Sequence, residues 1–208
     1  MKIINSSYEI LTKLIGKEIL KNIEIAGRTC YKSEDKITEE SAKTFVKKII
    51  NSKHDSVLEH QGFSVRFIND RGVSHEQVRH RLSSFSQEST RYINYTKESK
   101  GGECSYISIS NHLKNPEKSF DVWIKTMQFC EDAYKTMIDF GESPQIARSV
   151  LPNSLKTEIV ITANLRQWRT IFKQRVSKEA HPQIREVMCP LLDELKILIP
   201  IIFDDINY

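Results

Sequence analysis

The chain has 208 residues, with 31 Lys and Arg against 27 Asp and Glu, a net charge of +4. Hydrophobic residues at 39% and charged residues at 28% describe a soluble globular chain, long enough for one domain (residues 1–208), or two small ones, with ample chain for a core, and exclude disordered or fibrous classes. Glycine is scarce, 7 of 208 or about 3%, and neither G-x-G-x-x-G nor G-x-x-x-x-G-K-[ST] occurs, so a nucleotide bound here must be held by side chains.

No repeat or low-complexity linker marks an internal boundary. Thr38–Asn51 has helical periodicity, with Ala42, Phe45, Val46, Ile49 and Ile50 on one side. Gly62–Ile68 alternates Phe63, Val65 and Phe67 against Ser64 and Arg66 and reads as a half-buried strand. Asn69–Gly72 is expected to turn the chain into a helix over Val73–Leu82. A polar loop is expected from Ser83 to Gly102, with a short extended part at Tyr92–Tyr95. Ser119–Phe140 reads as a long helix, and Ser143-Pro144 starts another that stops near Pro152. Thr157–Ala163 is β-branched and apolar, a strand. Helices over Asn164–Val176 and Pro182–Ile199 complete the expected elements. Strands separated by helices, without regular βαβ repetition, indicate an α+β class.

The absence of an 18-residue apolar run and a polar start (Lys2, Asn5, Ser6, Ser7) suggest a soluble intracellular, cytoplasmic protein. Cys30, Cys104, Cys130 and Cys189 are widely spaced without C-x-x-C, which favours reduced thiols over disulfides or structural zinc. The small positive excess does not require a nucleic-acid partner.

The stretch Arg79–Tyr92 holds three Arg, one His and four Ser with little apolar content. On a helical wheel Glu76, Arg79, His80 and Ser83 share a face opposite Val78 and Leu82. Such a helix would deliver cations into a hydroxyl-rich loop, a combination suited to phosphate and other anionic ligands. A solvated basic helix end followed by a serine loop is the plainer alternative.

In register the segment is R-H-R-x-x-S-x-x-x-x-S-x-R, carried by Arg79, His80, Arg81, Ser84, Ser89 and Arg91. It resembles the signature of the flavin-dependent thymidylate synthases. His54-Asp55-Ser56-Val57-Leu58-Glu59-His60 resembles that family's H-[ED]-[ST]-x-x-E-H segment. Ala147-Arg148-Ser149-Val150-Leu151-Pro152 resembles A-R-x-x-L-P, and Asn164, Arg166, Arg175 and Ala180 resemble N-x-R…R…A.

The resemblance implies methylation of dUMP to dTMP, with methylenetetrahydrofolate as carbon donor and FAD, reduced by NADPH, as hydride carrier. It also implies a homotetramer with interfacial active sites and a central, mainly antiparallel sheet flanked by helices. Neither a nucleic acid nor a membrane is an implied partner. Carried over by position, His54, Ser56, Arg79, His80, Arg81, Gln87, Asn164, Arg166 and Thr170 would contact FAD. Glu76, Gln77, Val78, Arg79, Gln87, Glu88, Ser89, Thr90, Arg91, Arg148 and Arg175 would contact dUMP. Within that set, Arg91 and Arg148 are candidates for the phosphate and Arg175 for the pyrimidine and catalysis. The chain departs from the family pattern at Glu76, Gln87, Thr170 and His181, where relatives often carry Gln, Glu, Asn and Gln.

The wheel over Asn164–Val176 adds an argument of its own. Leu165, Trp168, Ile171, Phe172 and Val176 form one sector, Arg175 falls inside it, and Arg166, Arg169 and Lys173 fall outside. An arginine on an apolar face needs an ion partner, a snorkelling path or a ligand. Rival chemistries are a serine nucleophile (Ser84, Ser86 or Ser89) with His80 as base, a reactive Cys30, and a metal held by His54, Glu59, His60, His75 or His80. None has the spacing those chemistries use: there is no G-x-S-x-G and no H-E-x-x-H. A single-stranded nucleic-acid module using Phe85, Tyr92 and Tyr95 and a serine hydrolase are the alternatives from other classes.

Overall fold

Short strands open the chain in the computed structural model, which describes residues 1–99 and 101–208. In chain order the elements are β1 (Lys2–Ile4), β2 (Ser7–Ile10), α1 (Gly16–Thr29), α2 (Ser41–Asn51), β3 (Gly62–Asp70), α3 (Arg71–Gln77), β4 (Ser84–Gln87), β5 (Ser105–Ile107), α4 (Pro116–Asp139), α5 (Pro144–Ala147), β6 (Lys156–Asn164), α6 (Leu165–Arg175) and α7 (Pro182–Leu198). A 3-10 turn over Asp55–His60 leads into β3, and another over Arg148–Val150 extends α5.

The four-stranded antiparallel sheet runs β2-β3-β6-β4 and is flanked by helices, the expected α+β architecture. A separate parallel pair joins β1 to β5, with Lys2 opposite Ser105 and Ile4 opposite Ile107. The alternation seen in sequence is the burial pattern of β3, where Phe63, Val65 and Phe67 are buried while Gly62 and Arg66 are exposed. β6 repeats it with Thr157, Ile159, Ile161 and Ala163.

The fold divides into two compact units that interleave along the chain: residues 1–7, 67–79 and 86–159 form one, and residues 8–66, 80–85 and 160–208 the other. The first unit has a core of Tyr95, Cys104, Tyr106, Trp123, Met127, Tyr134, Ala147 and Leu155. α4 supplies its inner face through Trp123, Met127 and Tyr134. In the second unit Phe63 and Trp168 stack at 4.8 Å, and Trp168, Phe172 and Phe203 continue the aromatic row. Trp168 also donates its indole N–H to the Phe63 carbonyl at 3.1 Å, so the one polar atom of that ring is satisfied in the core.

Within Asn69–Gly72 the chain turns from strand into helix as expected: β3 ends at Asp70, whose carboxylate caps α3 by accepting from the Val73 amide at 2.6 Å. Two local expectations need correction. The helix expected over Val73–Leu82 ends at Gln77. Its presumed inner residues Val78 and Leu82 are 37% and 79% exposed, so no burial rewards another helical turn; His80, at 5%, is buried instead. The extended piece is Ser84–Gln87 rather than Tyr92–Tyr95, where the chain forms turns.

Arg169 corrects the wheel. Expected outside the apolar sector, it is 4% exposed. Its guanidinium grips Asp205 through two bonds of 2.6 and 2.7 Å and donates also to the Ile202 carbonyl. The segment after α7 covers that face of α6, which a single-helix wheel cannot foresee.

Candidate functional site

The R-H-R segment leaves α3 through a tight last turn, in which the Val78 amide donates to Ser74 and the Arg79 amide to Glu76. Arg79 and Arg81 project into solvent while His80 turns inward. Its Nε2 accepts a hydrogen bond from Nε of Arg175, at the C-terminal end of α6, at 3.0 Å. Burial, and then the Arg175 charge, push the His80 pKa down to about 4. The ring is therefore neutral at pH 7, with its proton on Nδ1, and is a poor base for any serine.

In the first unit the dUMP candidates gather around the Gln87–Arg91 segment. Arg148 Nη1 donates to the Thr90 hydroxyl at 3.0 Å, joining the A-R-x-x-L-P segment to the serine-rich one. Both line a cleft of about 480 Å³ together with Arg71 and His75, and no aspartate or glutamate is on its walls. Arg91 is exposed beside it in sequence, its guanidinium over the Tyr92 ring at 5.5 Å. The Ser89 hydroxyl accepts from the Arg91 amide at 3.3 Å.

Three candidates in this unit have structural partners. Gln87 donates through Nε2 to Ser74 at 2.8 Å and Thr157 at 3.2 Å. Glu88 accepts from the Tyr95 hydroxyl and from Lys156, each at 2.8 Å. Burial and then Glu88 raise the Tyr95 pKa far above the ordinary phenol range, so it stays a donor. Burial disfavours the Lys156 charge, yet its bonds to Glu158 and Glu88 outweigh that and raise its pKa. Gln77 is buried with its Oε1 accepting from Asn69 at 2.9 Å, and its Nε2 has no hydrogen-bond partner. Glu76 is half-buried and Val78 exposed.

The second unit holds most of the FAD candidates. Asn164 caps α6, its side-chain oxygen accepting from the Gln167 amide at 2.8 Å. Arg166, exposed on the first turn, pairs with Glu59. Thr170 is exposed one turn later and bonds back to the Arg166 carbonyl. Asn164 and Arg81 share a cleft of about 470 Å³ with Ser83, whose buried hydroxyl has no hydrogen-bond partner. His54 and Ser56 are exposed at the start of the 3-10 turn, with His54 Nδ1 3.3 Å from the Tyr31 hydroxyl. His181, the departure near the C-terminal motif, caps α7 by accepting from the Gln183 amide.

Sequence reasoning missed Arg71 and Ser83. Arg71 precedes His75 by one helical turn on α3, and its Nη1 lies 3.4 Å from Thr157 Oγ1. Starting the helix two residues earlier would have placed both on one face. The helical wheel put Ser83 on the face of Glu76, Arg79 and His80, but it falls at an unspecified position of the motif and so was not among the ligand contacts. Cys30, the rival cysteine nucleophile, is exposed just after the end of α1, while Cys104 is buried and its thiol is pushed up to about 12, first by burial and then by Glu131. Among the described residues no helix is long and apolar enough to cross a membrane.

Comparison with known proteins agrees with the motif reading. Residues 13–201 match the family model described as thymidylate synthase complementing protein. The chain is 33% identical to a flavin-dependent thymidylate synthase of Geobacter sulfurreducens over 88% of its own length and 80% of the relative's. It is 32% identical to one of Pyrococcus furiosus, covering 81% and 68%. Among solved structures, it is similar in fold to the UMP/dUMP methylase PolB of Streptomyces cacaoi bound with 5-Br dUMP. There the TM-score is 0.82 at 16% identity, over 98% of this chain and 96% of that one. On these matches, and on the order of its four motifs, the chain belongs to the family of the flavin-dependent thymidylate synthases.

Proposed function

We propose that this enzyme methylates dUMP to dTMP, taking the carbon from methylenetetrahydrofolate and using FAD, recharged by NADPH, for the hydride. The observation that carries the reading is the 480 Å³ cleft in which Arg148 and Thr90, from two motifs far apart in sequence, meet at 3.0 Å beside Arg71 and His75 without a carboxylate. Its size lies within the ~300–1,000 Å³ of small-molecule sites, and its charge suits a phosphate.

In this reading Arg148 and Arg91 hold the dUMP phosphate, and Ser89, Thr90 and the 76–79 segment line the nucleoside. Arg175 presents its guanidinium to the uracil, where a preorganised cation stabilises the enolate that forms as the ring is attacked. His80, neutral and accepting at Nε2, fixes the Arg175 plane.

The chain's residues fit a flavin dinucleotide. The unpaired Ser83 hydroxyl and the Arg81 guanidinium, on the wall of one cleft, are the donors a diphosphate needs, and no glycine-rich loop is required. Arg79, Arg81, Arg166, Asn164 and Thr170 would hold the group, with His54, Ser56, His80 and Gln87 around it. When bound and reduced, the flavin supplies hydride.

We further read the chain as one functional domain working as a cytoplasmic homotetramer, whose sites draw residues from several subunits. The test is the absorption spectrum of the purified protein. A flavin spectrum that bleaches with NADPH under anaerobic conditions is expected; a colourless protein that binds no added FAD overturns the reading.

A further inference from the structure

Glu88 stands at a position that the motif R-H-R-x-x-S-x-x-x-x-S-x-R leaves open, directly before Ser89. Position in the motif suggests a contact with dUMP, yet Glu88 is not on the wall of the 480 Å³ cleft that Thr90 lines. Its side chain is only 11% exposed, and protein donors take both carboxylate oxygens. Oε1 accepts from the Tyr95 hydroxyl and Oε2 from Lys156 Nζ, each at 2.8 Å.

Those two bonds close a loop at both ends. Tyr95 is buried in the core of the first unit, edge-on to Tyr134, so the first bond ties residue 88 to a fixed point beyond Ser89, Thr90 and Arg91. Within the loop the Tyr92 and Ile93 amides donate to the Ser89 carbonyl at 3.3 and 3.1 Å. The second bond ties the same carboxylate to β6, where Lys156 is also held by Glu158 at 2.6 Å. The Glu88 amide donates to the Glu158 carbonyl at 2.8 Å, which anchors the backbone to the same strand. A bare carboxylate next to Ser89 would repel a phosphate; the Lys156 ammonium neutralises it. A loop already ordered in this way spares a ligand the entropic cost of ordering it.

We propose that Glu88 is a positioning residue: held by Tyr95 and Lys156, its carboxylate closes the 88–95 loop and presents Ser89, Thr90 and Arg91 to dUMP, without touching the nucleotide itself. The nucleotide part rests on the function proposed above; the loop closure rests on the bonds of Glu88. Loss of the closure therefore weakens dUMP binding and leaves the chemical step at saturating dUMP as it was.

Three variants of the full-length protein test it. Tyr95→Phe keeps the buried ring and removes only the hydroxyl, Glu88→Leu removes the carboxylate, and E88L/K156M removes both charges of the pair. Hydrogen exchange over residues 88–95 without ligand, calorimetric titration with dUMP and steady-state kinetics are compared, with the melting temperature as the check on folding. In Tyr95→Phe exchange in the loop quickens, and Kd and KM for dUMP rise about tenfold, the worth of one hydrogen bond to a charged group. Its kcat and flavin content stay the same. E88L/K156M regains the melting temperature lost in Glu88→Leu, because no partner is left stranded, but not the affinity for dUMP. Unchanged exchange or unchanged dUMP affinity in Tyr95→Phe overturns the proposal, as does affinity that returns with the melting temperature in E88L/K156M; in each case a protein that still makes dTMP leaves the function intact. A parent protein that binds no dUMP refutes the function and the nucleotide part with it, while quickened exchange in its variants upholds the loop closure.

Discussion

Nε of Arg175 donates to Nε2 of His80 at 3.0 Å, which fixes the protonation state of one residue and the orientation of the other. A protonated His80 would set two cations against each other, and burial already disfavours its charge. Arg175, in turn, is held at its Nε by a neutral acceptor, which orients its guanidinium.

Replacing His80 therefore separates orientation from binding. In His80→Ala the acceptor is lost, and kcat should fall by about ten- to a hundredfold, the worth of a hydrogen bond to a charged group. In His80→Asn, whose side-chain oxygen can accept, part of that loss should be recovered. Steady-state kinetics of the two variants, with flavin content as control, give the comparison. Equal kcat in both would show that the hydrogen bond positions nothing.

The same residue sets an acid limit. Its folded pKa is about 4 against an ordinary 6.5. Between those values the unfolded chain binds the proton and the folded chain does not, so stability falls as pH drops from 6.5 toward 4 and is unaffected above it. The full window amounts to about 3 kcal/mol. Urea unfolding at pH 7 and pH 4.5 should show a loss that is smaller in His80→Asn.

Arg175→Ala removes the group proposed to face the uracil. A loss of about 2.7–4 kcal/mol in transition-state stabilisation is expected, a hundred- to a thousandfold in kcat, with the flavin retained. Single-turnover rates after anaerobic reduction measure it, and a variant with unchanged rate would remove Arg175 from the mechanism.

What the sequence made legible and what it hid follow from physical range. β3 and β6 were readable because one buried face imposes a two-residue period, and α6 because Asn164 caps it and its apolar sector is buried. The α3 end was misread because a wheel assumes that apolar Val78 and Leu82 face inward, whereas His80 took the buried place through a partner 95 positions away in the chain. α1 passed unnoticed: Ile15 offers no capping side chain, and Ile25, 43% exposed, blurs the stripe formed by Ile19, Leu20 and Ile23. Three- and four-residue strands such as β1 and β2 are too short for alternation to register. The motif residues were legible by resemblance, but the partners of Arg71 and the burial of the Ser83 hydroxyl depend on tertiary neighbours.

Arg169 yields a stability prediction without a functional one. Asp205→Ala strands a buried guanidinium that keeps only the Ile202 carbonyl. A loss of about 3 kcal/mol is expected, seen as a lower melting temperature, with the activity per folded molecule unchanged. A melting temperature equal to the parent's would mean that the pair is solvated and contributes little.

Gly27→Ala tests the close approach of α1 to α2. The new methyl would press on the Phe45 ring, and overpacking of this kind costs about 1–3 kcal/mol. Thermal denaturation reads the cost, and a melting temperature equal to the parent's would show that the helices move apart without loss.

The most direct test of the proposed reaction is one anaerobic turnover. Protein reduced with NADPH, freed of excess reductant and mixed with dUMP and methylenetetrahydrofolate, should regain its oxidised flavin spectrum as dTMP forms, one molecule per flavin. Reduced flavin that persists, or that reoxidises without dTMP, would contradict the account.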